Sequence, residues 1–406
     1  MIRFREPPSP GPAACVRRNR VAGAGSCVNI RPGPLAYTET MPEPSPHPLR
    51  VVAIGGGTGL STLLRGLKRY VSVPGASTAQ ASFERRHYPS APHAPDRRVT
   101  EGACPTPPCL IGELSAIVTV TDDGGSSGRL REDLNMLPPG DVRNCIVALS
   151  EDEHLLSRLF QYRFQHGDLE GHSFGNLFLA ALSGITGDFA QAVHTSSQIL
   201  AARGRIYPST TSNATLAARM DDGTVVHGET RITKSKRSIV ELMLEPADAQ
   251  PLPETLEAIA AADLITLGPG SLYTSLITNL LVGGISDALQ ASAATRVYIC
   301  NLMTQANESL GLSASQHIER IFDHAGGRIF DYALINTAPI LPATLEQYAR
   351  EGQTPIDADL ERVRALGVEP ITGNFLHEGE VLRHGYDKVA AKLMTLALEA
   401  RDRTSI

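Results

Sequence analysis

The stretch Val51–Tyr70, "VVAIGGGTGLSTLLRGLKRY", runs from apolar residues into Gly55-Gly56-Gly57-Thr58-Gly59 and then into an amphipathic run. That order reads as strand, tight loop and helix. Glycines let the backbone turn sharply and approach a ligand closely. The helix that follows offers unpaired N–H groups to an anion. A dinucleotide loop, a GTP loop and a sugar-phosphate loop can all begin this way, and so can a plain βα turn without a ligand. Leu60 stands where the dinucleotide fingerprint requires its third glycine, which argues against NAD. No Gly-Lys-Ser/Thr follows, so this is not a Walker loop.

Further segments repeat the strand-then-helix order. "LSAIVTVT" (114–121) and "ADLITLGPG" (262–270) read as strands entering polar or glycine-rich loops. "TRVYICNLMTQ" and "FDYALINTA" are further buried strands. Helical patterns cover roughly 141–150, 154–164, 174–184 and 188–203, and "SLYTSLITNLLVGGI" reads as one helix. Strands alternating with helices predict an α/β fold, a mostly parallel sheet with helices on both faces. A β-hairpin is expected over "MDDGTVVHGETRIT", turning at Asp222-Gly223. Residues 49–345 are expected to carry the main domain. Residues 346–406 are expected to be a mostly helical part of the same domain, with an extended stretch near "VEPITGNFL".

Two segments stand outside this pattern. Residues 1–48 are rich in proline, arginine and glycine and read as a disordered extension, with Met41 as an alternative start. Residues 74–109 lack periodicity and read as a disordered surface insertion. Hydrophobic residues make up 42% and charged residues 20%, which fits a globular protein with a sizeable core. The net charge of −6 speaks against a general nucleic-acid or membrane-surface binder. No apolar run reaches the ~20 residues of a membrane span. The six cysteines form no metal-ligand or disulfide pattern, so a reducing cytosol is the expected setting. A homo-oligomer stays open.

The richest polar segment is "TDDGGSSGRLRED". Asp122 and Asp123 end a strand, followed by Gly124, Gly125, Ser126, Ser127, Gly128, Arg129 and Arg131. Paired carboxylates can hold Mg²⁺ while phosphates complete its shell. Alternatively, one aspartate binds ribose hydroxyls or takes a proton from an alcohol. The bland alternative is an acidic turn with surface arginines. "PPGDVRNC" places Asp141 as a helix N-cap, with Arg143 and Asn144 in the first turn. "GHSFGN" puts His172, Ser173 and Asn176 at a helix start, and "LGPGSLYTS" offers Gly268, Gly270, Ser271 and Thr274 as a second anion pocket. Asn301 and Thr304 close another strand. There is no G-x-S-x-G elbow, H-E-x-x-H or Cys/His ligand set, so acyl-transfer hydrolysis and zinc chemistry are disfavoured.

Six ordered motifs carry a resemblance: "VVAIGGGTGLSTLLRGLK", "AIVTVTDDGGSSGRLR", "PPGDVRNCIVAL", "GHSFGNLFLAAL", "ADLITLGPGSLYTSLITNLLV" and "CNLMTQ". With them the chain resembles the YvcK-type gluconeogenesis factors of the CofD-like superfamily, that of 2-phospho-L-lactate transferase. The resemblance runs from about Leu49 to Ala338, and more weakly through "RHGYDKVA". It implies a Rossmann-like fold and a cytoplasmic UDP-sugar-binding regulator, needed for cell shape and envelope synthesis on gluconeogenic carbon sources. It also implies a ligand such as UDP-N-acetylglucosamine. The alternative it implies is a Mg²⁺-dependent phospholactyl- or phosphoryl-type transferase in the same cleft, with Asp122 and Asp123 as candidate catalytic and metal-binding residues. By position, the cleft would be lined by Gly55 to Gly59, Asp122 to Arg131, Asn144, Asn176, Asn213 and Gly268 to Thr274. Where the family shows Gly-Glu-Thr after the "MTQ" strand, this chain has Asn307-Glu308-Ser309. A tubulin-class GTPase also carries "GGGTG", but deep inside its domain; here the loop follows the first core strand.

Overall fold

The computed structural model describes residues 48–72, 110–151, 155–235, 237–306, 308–379 and 381–404. All of them belong to one compact unit, Pro44–Ile406. The expected extension (apart from Pro48), the insertion 74–109 and Asn307 lie outside the described residues.

Among the described residues, twelve strands form three sheets. The main sheet holds β1 (Leu49–Gly55), β2 (Ile111–Val118), β3 (Arg205–Pro208), β7 (Leu264–Leu267), β8 (Thr295–Ile299), β9 (Tyr332–Asn336) and β10 (Glu369–Gly373), in the order β10-β9-β8-β7-β1-β2-β3. Every pairing in it is parallel. β4 (Thr215–Met220), β5 (Val225–His227) and β6 (Ile239–Glu245) form a small antiparallel sheet. β11 (Leu376–Glu378) and β12 (Leu382–His384) form a separate hairpin.

β1 shows why the sheet sits at the centre. All of its residues are buried except Arg50, whose side chain and N–H bind Asp263. Successive side chains point to opposite faces. Val51 and Ala53 join one core with Leu60, Leu63, Leu64, Ile146 and Leu393. Val52 and Ile54 join the other with Ile259, Leu276, Ile318 and Ile321. A central parallel strand must be apolar on both sides, and this one is.

Three local expectations change. The hairpin turns at Asp222-Gly223 with Gly223 at φ +83, but its second strand stops at His227. Gly228 adopts φ +92, and "ETRITK" becomes a helix (Glu229–Lys234) whose Thr230 N–H donates to Asp123. "SLYTSLITNLLVGGI" is not one helix. A wide π turn (Leu272–Ile277) leads to a short α turn (Thr278–Leu280), and a second helix (Ile285–Ala291) leaves at 78°. Thr278 Oγ1 donates to the Tyr273 and Thr274 carbonyls, and Gly284 at φ +79 makes the bend. No single helix among the described residues is long and apolar enough to cross a membrane.

The C-terminal region is helical but also completes the sheet. "EPITG" is β10, the edge strand beside β9. The last helix (Tyr386–Thr404) lies on the helix Gly57–Leu67. Gly66 permits that contact, since a Cβ there would come within 2.5 Å of the Tyr386 carbonyl oxygen.

Candidate functional site

From β1 the chain steps outward through β2 and β3 on one side, then through β7 to β10 on the other. The reversal falls between β1 and β7. In open parallel sheets, ligands bind in the crevice beyond the strand ends at such a switch point. Both glycine junctions lie there, Gly55 to Gly59 after β1 and Gly268 to Ser271 after β7.

The two loops touch backbone to backbone. A Cβ on Gly59 would lie 2.2 Å from the Pro269 carbonyl oxygen, and one on Gly56 would lie 2.4 Å from Thr119 Cγ2. Gly56 and Gly59 are therefore required by contact, and Gly57, at φ +61, by turn geometry. Above them opens a cavity of about 520 Å³, within the usual range of small-molecule pockets. Gly56, Gly57, Thr58, Gly59, Asp122, Gly270, Ser271, Thr274, Asn301 and Thr304 all line it.

Both helix starts in the cleft are met by carboxylates of the chain itself. The Gly57 N–H donates to Asp141 Oδ2 at 2.6 Å. Thr274 Oγ1 donates to Glu308 Oε1 at 2.9 Å, while Glu308 Oε2 has no hydrogen-bond partner among the described residues. Thr58 and Gly59, which line the cavity at the positive end of the helix, keep N–H groups with no partner among the described residues.

Burial pushes the Asp141 carboxyl up to about 6; Asp122 adds to the rise, while Gly57 and Arg143 oppose it. Burial takes Glu308 up to about 7. Glu229, also on the cavity wall, is raised well above the usual range by burial and then by Asp122 and Asp141. Arg383 is the one Lys or Arg among the described lining residues. Beside it, His384 Nε2–H donates to the Cys300 carbonyl, and burial lowers the ring to about 4, so it is neutral near pH 7.

The same segments match known proteins. The family model described as "2-phospho-L-lactate transferase CofD" matches residues 51–376. The chain belongs to the CofD family. It is 45% identical to the "Gluconeogenesis factor" of Halalkalibacterium halodurans, over 87% of this chain and 97% of that protein. It is 41% identical to the "Gluconeogenesis factor" of Bacillus subtilis, over 86% and 98%. A crystal structure of a Bacillus halodurans protein of the UPF0052 family superposes with TM-score 0.74 at 44% identity, covering 85% of this chain and 99% of that one.

In this CofD-family chain, other expected site residues serve to hold the cleft's flank together. Asp122 lines the cavity and Asp123 does not. Asp123 Oδ1 accepts from Thr230 N–H at 2.8 Å and Thr230 Oγ1 at 2.5 Å. Ser126 Oγ lies 3.1 Å from His172 Nδ1 and accepts from Asn176 Nδ2 at 3.1 Å. Arg129 donates to the Glu170 carbonyl, and Arg131 to the Ala214 carbonyl and Thr215 Oγ1. Asn144 accepts from Arg143, and Asn213 donates to Asn135. Gly125 (φ +49) starts the helix Gly125–Leu134, and Gly268 (φ +81) makes the turn after β7. Among the described residues, no group of three or more His, Cys, Asp or Glu has metal-ligating geometry.

Sequence reasoning missed Glu229, Tyr348, Arg383 and His384 as cavity-lining residues and Glu308 as the partner of Thr274. It placed Asp141 at the helix N-cap, but the helix begins at Gly140 with Pro139 at its N-cap, and the Asp141 carboxylate reaches Gly57 instead. "RHGYD", running out of the last strand, was the one available signal for Arg383 and His384. Glu229 and Tyr348 carry no local signature.

Proposed function

We propose that the cleft binds a UDP-sugar such as UDP-N-acetylglucosamine. On this reading the chain is a cytoplasmic regulator of envelope synthesis and cell shape during growth on gluconeogenic carbon. The observation that carries it is that the Thr58 and Gly59 amides and the Arg383 guanidinium line the same cavity. Hydrogen-bond donors and a guanidinium together suit a diphosphate. Tyr348, Leu302, Met303 and Leu382 supply apolar surface for the base or the acetamido group. Relatives named gluconeogenesis factor support the physiological setting. Arg383→Ala is expected to weaken UDP-N-acetylglucosamine binding about tenfold, measured by calorimetry. Arg383 is exposed, so its loss should leave the unfolding midpoint in place. Unchanged affinity would remove Arg383 from the site.

The acidic wall favours a second reading, a Mg²⁺-dependent transferase of a phospholactyl or phosphoryl group. Asp122, Asp141 and Glu229 line a cavity suited to phosphates, and an anion entering there needs compensating positive charge. Mg²⁺ is usually held by one or two carboxylates together with substrate phosphates, and Asp122 is the notable candidate, since its partner Asp123 is engaged elsewhere. On this reading Asp122→Asn abolishes growth on gluconeogenic carbon while leaving the fold intact. Normal growth and normal ligand binding by that variant would discard it.

A further inference from the structure

A second cavity, of about 460 Å³, lies at the other end of the helix Gly57–Leu67. Arg65, Lys68, Arg69 and Arg158 line it together with Gln161 and Tyr386. None of its described lining residues is acidic, although the chain as a whole carries −6. Lys68 is 8% exposed, and its Nζ donates to the Ser150 carbonyl at 3.0 Å. Arg69 pairs with Asp387. Arg65 and Arg158 have neither an ion pair nor a hydrogen bond among the described residues, and their side chains are exposed. Gathering like charges in a concavity raises the local positive potential, and an anion entering there would relieve the repulsion that the Arg69–Asp387 pair leaves. Planar guanidinium groups suit phosphate oxygens.

We propose that this cavity is a second anion site, for a small molecule bearing two or more phosphoryl groups, separate from the switch-point cleft. The two cavities share no described lining residue, and Gly59 and Arg65 are six residues apart, roughly 9 Å along the axis. The cavity's volume suits a small molecule, and Gln161 and Tyr386 add neutral donors to its lining.

The test is a calorimetric titration of the full chain with inorganic tripolyphosphate at fixed ionic strength. Four proteins are compared: wild type, Arg65→Ala/Arg158→Ala, Arg383→Ala, and Arg350→Ala/Arg362→Ala as a charge-matched control at exposed positions. Unfolding midpoints verify each fold, and Arg65→Lys/Arg158→Lys serves as a conservative variant that keeps the charge. The expected result is saturable binding, weakened at least tenfold in the first double variant, partly restored by lysine, unchanged in the charge-matched control, and weakened less by Arg383→Ala than by the first double variant. No saturable binding in wild type would overturn the proposal. So would equal weakening in the control, which would indicate diffuse charge, or greater weakening by Arg383→Ala, which would place the anion in the cleft.

Discussion

Gly59→Ala is expected to lower the unfolding free energy by about 3 kcal/mol and to abolish measurable ligand binding in the cleft. The new Cβ would lie 2.2 Å from the Pro269 oxygen, 2.7 Å from its carbonyl carbon and 3.0 Å from the Gly270 nitrogen. All three are backbone atoms, so no side-chain rotation relieves the clash, and the two loops must part. Overpacking of a tight site costs typically ~1–3 kcal/mol, and backbone atoms put this site at the upper end. The same parting moves the Thr58 and Gly59 amides away from the Gly270 side of the cavity. A urea titration for stability and a ligand titration for binding check the two effects. Gly187→Ala is a poor control because Gly187 has positive φ; Gly184, with nothing near its missing Cβ, is a good one and should show no such loss.

Asp141→Asn is expected to stabilise the protein at pH 8 by about 3 kcal/mol and to leave it unchanged near pH 4. Burial raises the carboxyl from its ordinary 3.8 to about 6. The folded state therefore keeps a proton that the unfolded chain gives up between these values. Stability falls as pH rises through that window, and above about 6 the full cost of a buried charge, about 3 kcal/mol, is present. Asparagine keeps an oxygen for the Gly57 N–H without the charge. Unfolding curves from pH 4 to 8 in the presence of a chelator read this out. A wild type that gains stability over the variant with rising pH would contradict it. The natural aspartate then makes sense as a group kept for the ligand rather than for the fold.

How much the sequence revealed depended on whether a signal was local. The β1 loop was legible because five consecutive residues carry its geometry, and Leu60 excluded the dinucleotide spacing. β1 and β7 could be placed at one edge because each apolar run ends in glycine. Arg383 was not legible as a lining residue, because the packing of the last helix on the first brings it to the same cavity as Gly57 from over 300 positions away. Asp141 was read as a cap, since helix-start chemistry is local, whereas its bond to Gly57 spans 84 positions. Ser126, His172 and Asn176 were read as ligand groups because polar residues at helix starts invite that reading. Buried polar groups must find partners, and these three largely find one another. β3 was missed because four residues at a sheet edge show no period.

The most direct measurement is isothermal titration of the full-length chain with UDP-N-acetylglucosamine, alongside UDP and NAD, with and without Mg²⁺. A nucleotide-sugar cleft predicts saturable heat at one site per chain for the UDP-sugar, weaker heat for UDP and none for NAD. No heat from UDP-N-acetylglucosamine at high protein concentration, under either condition, would contradict the account.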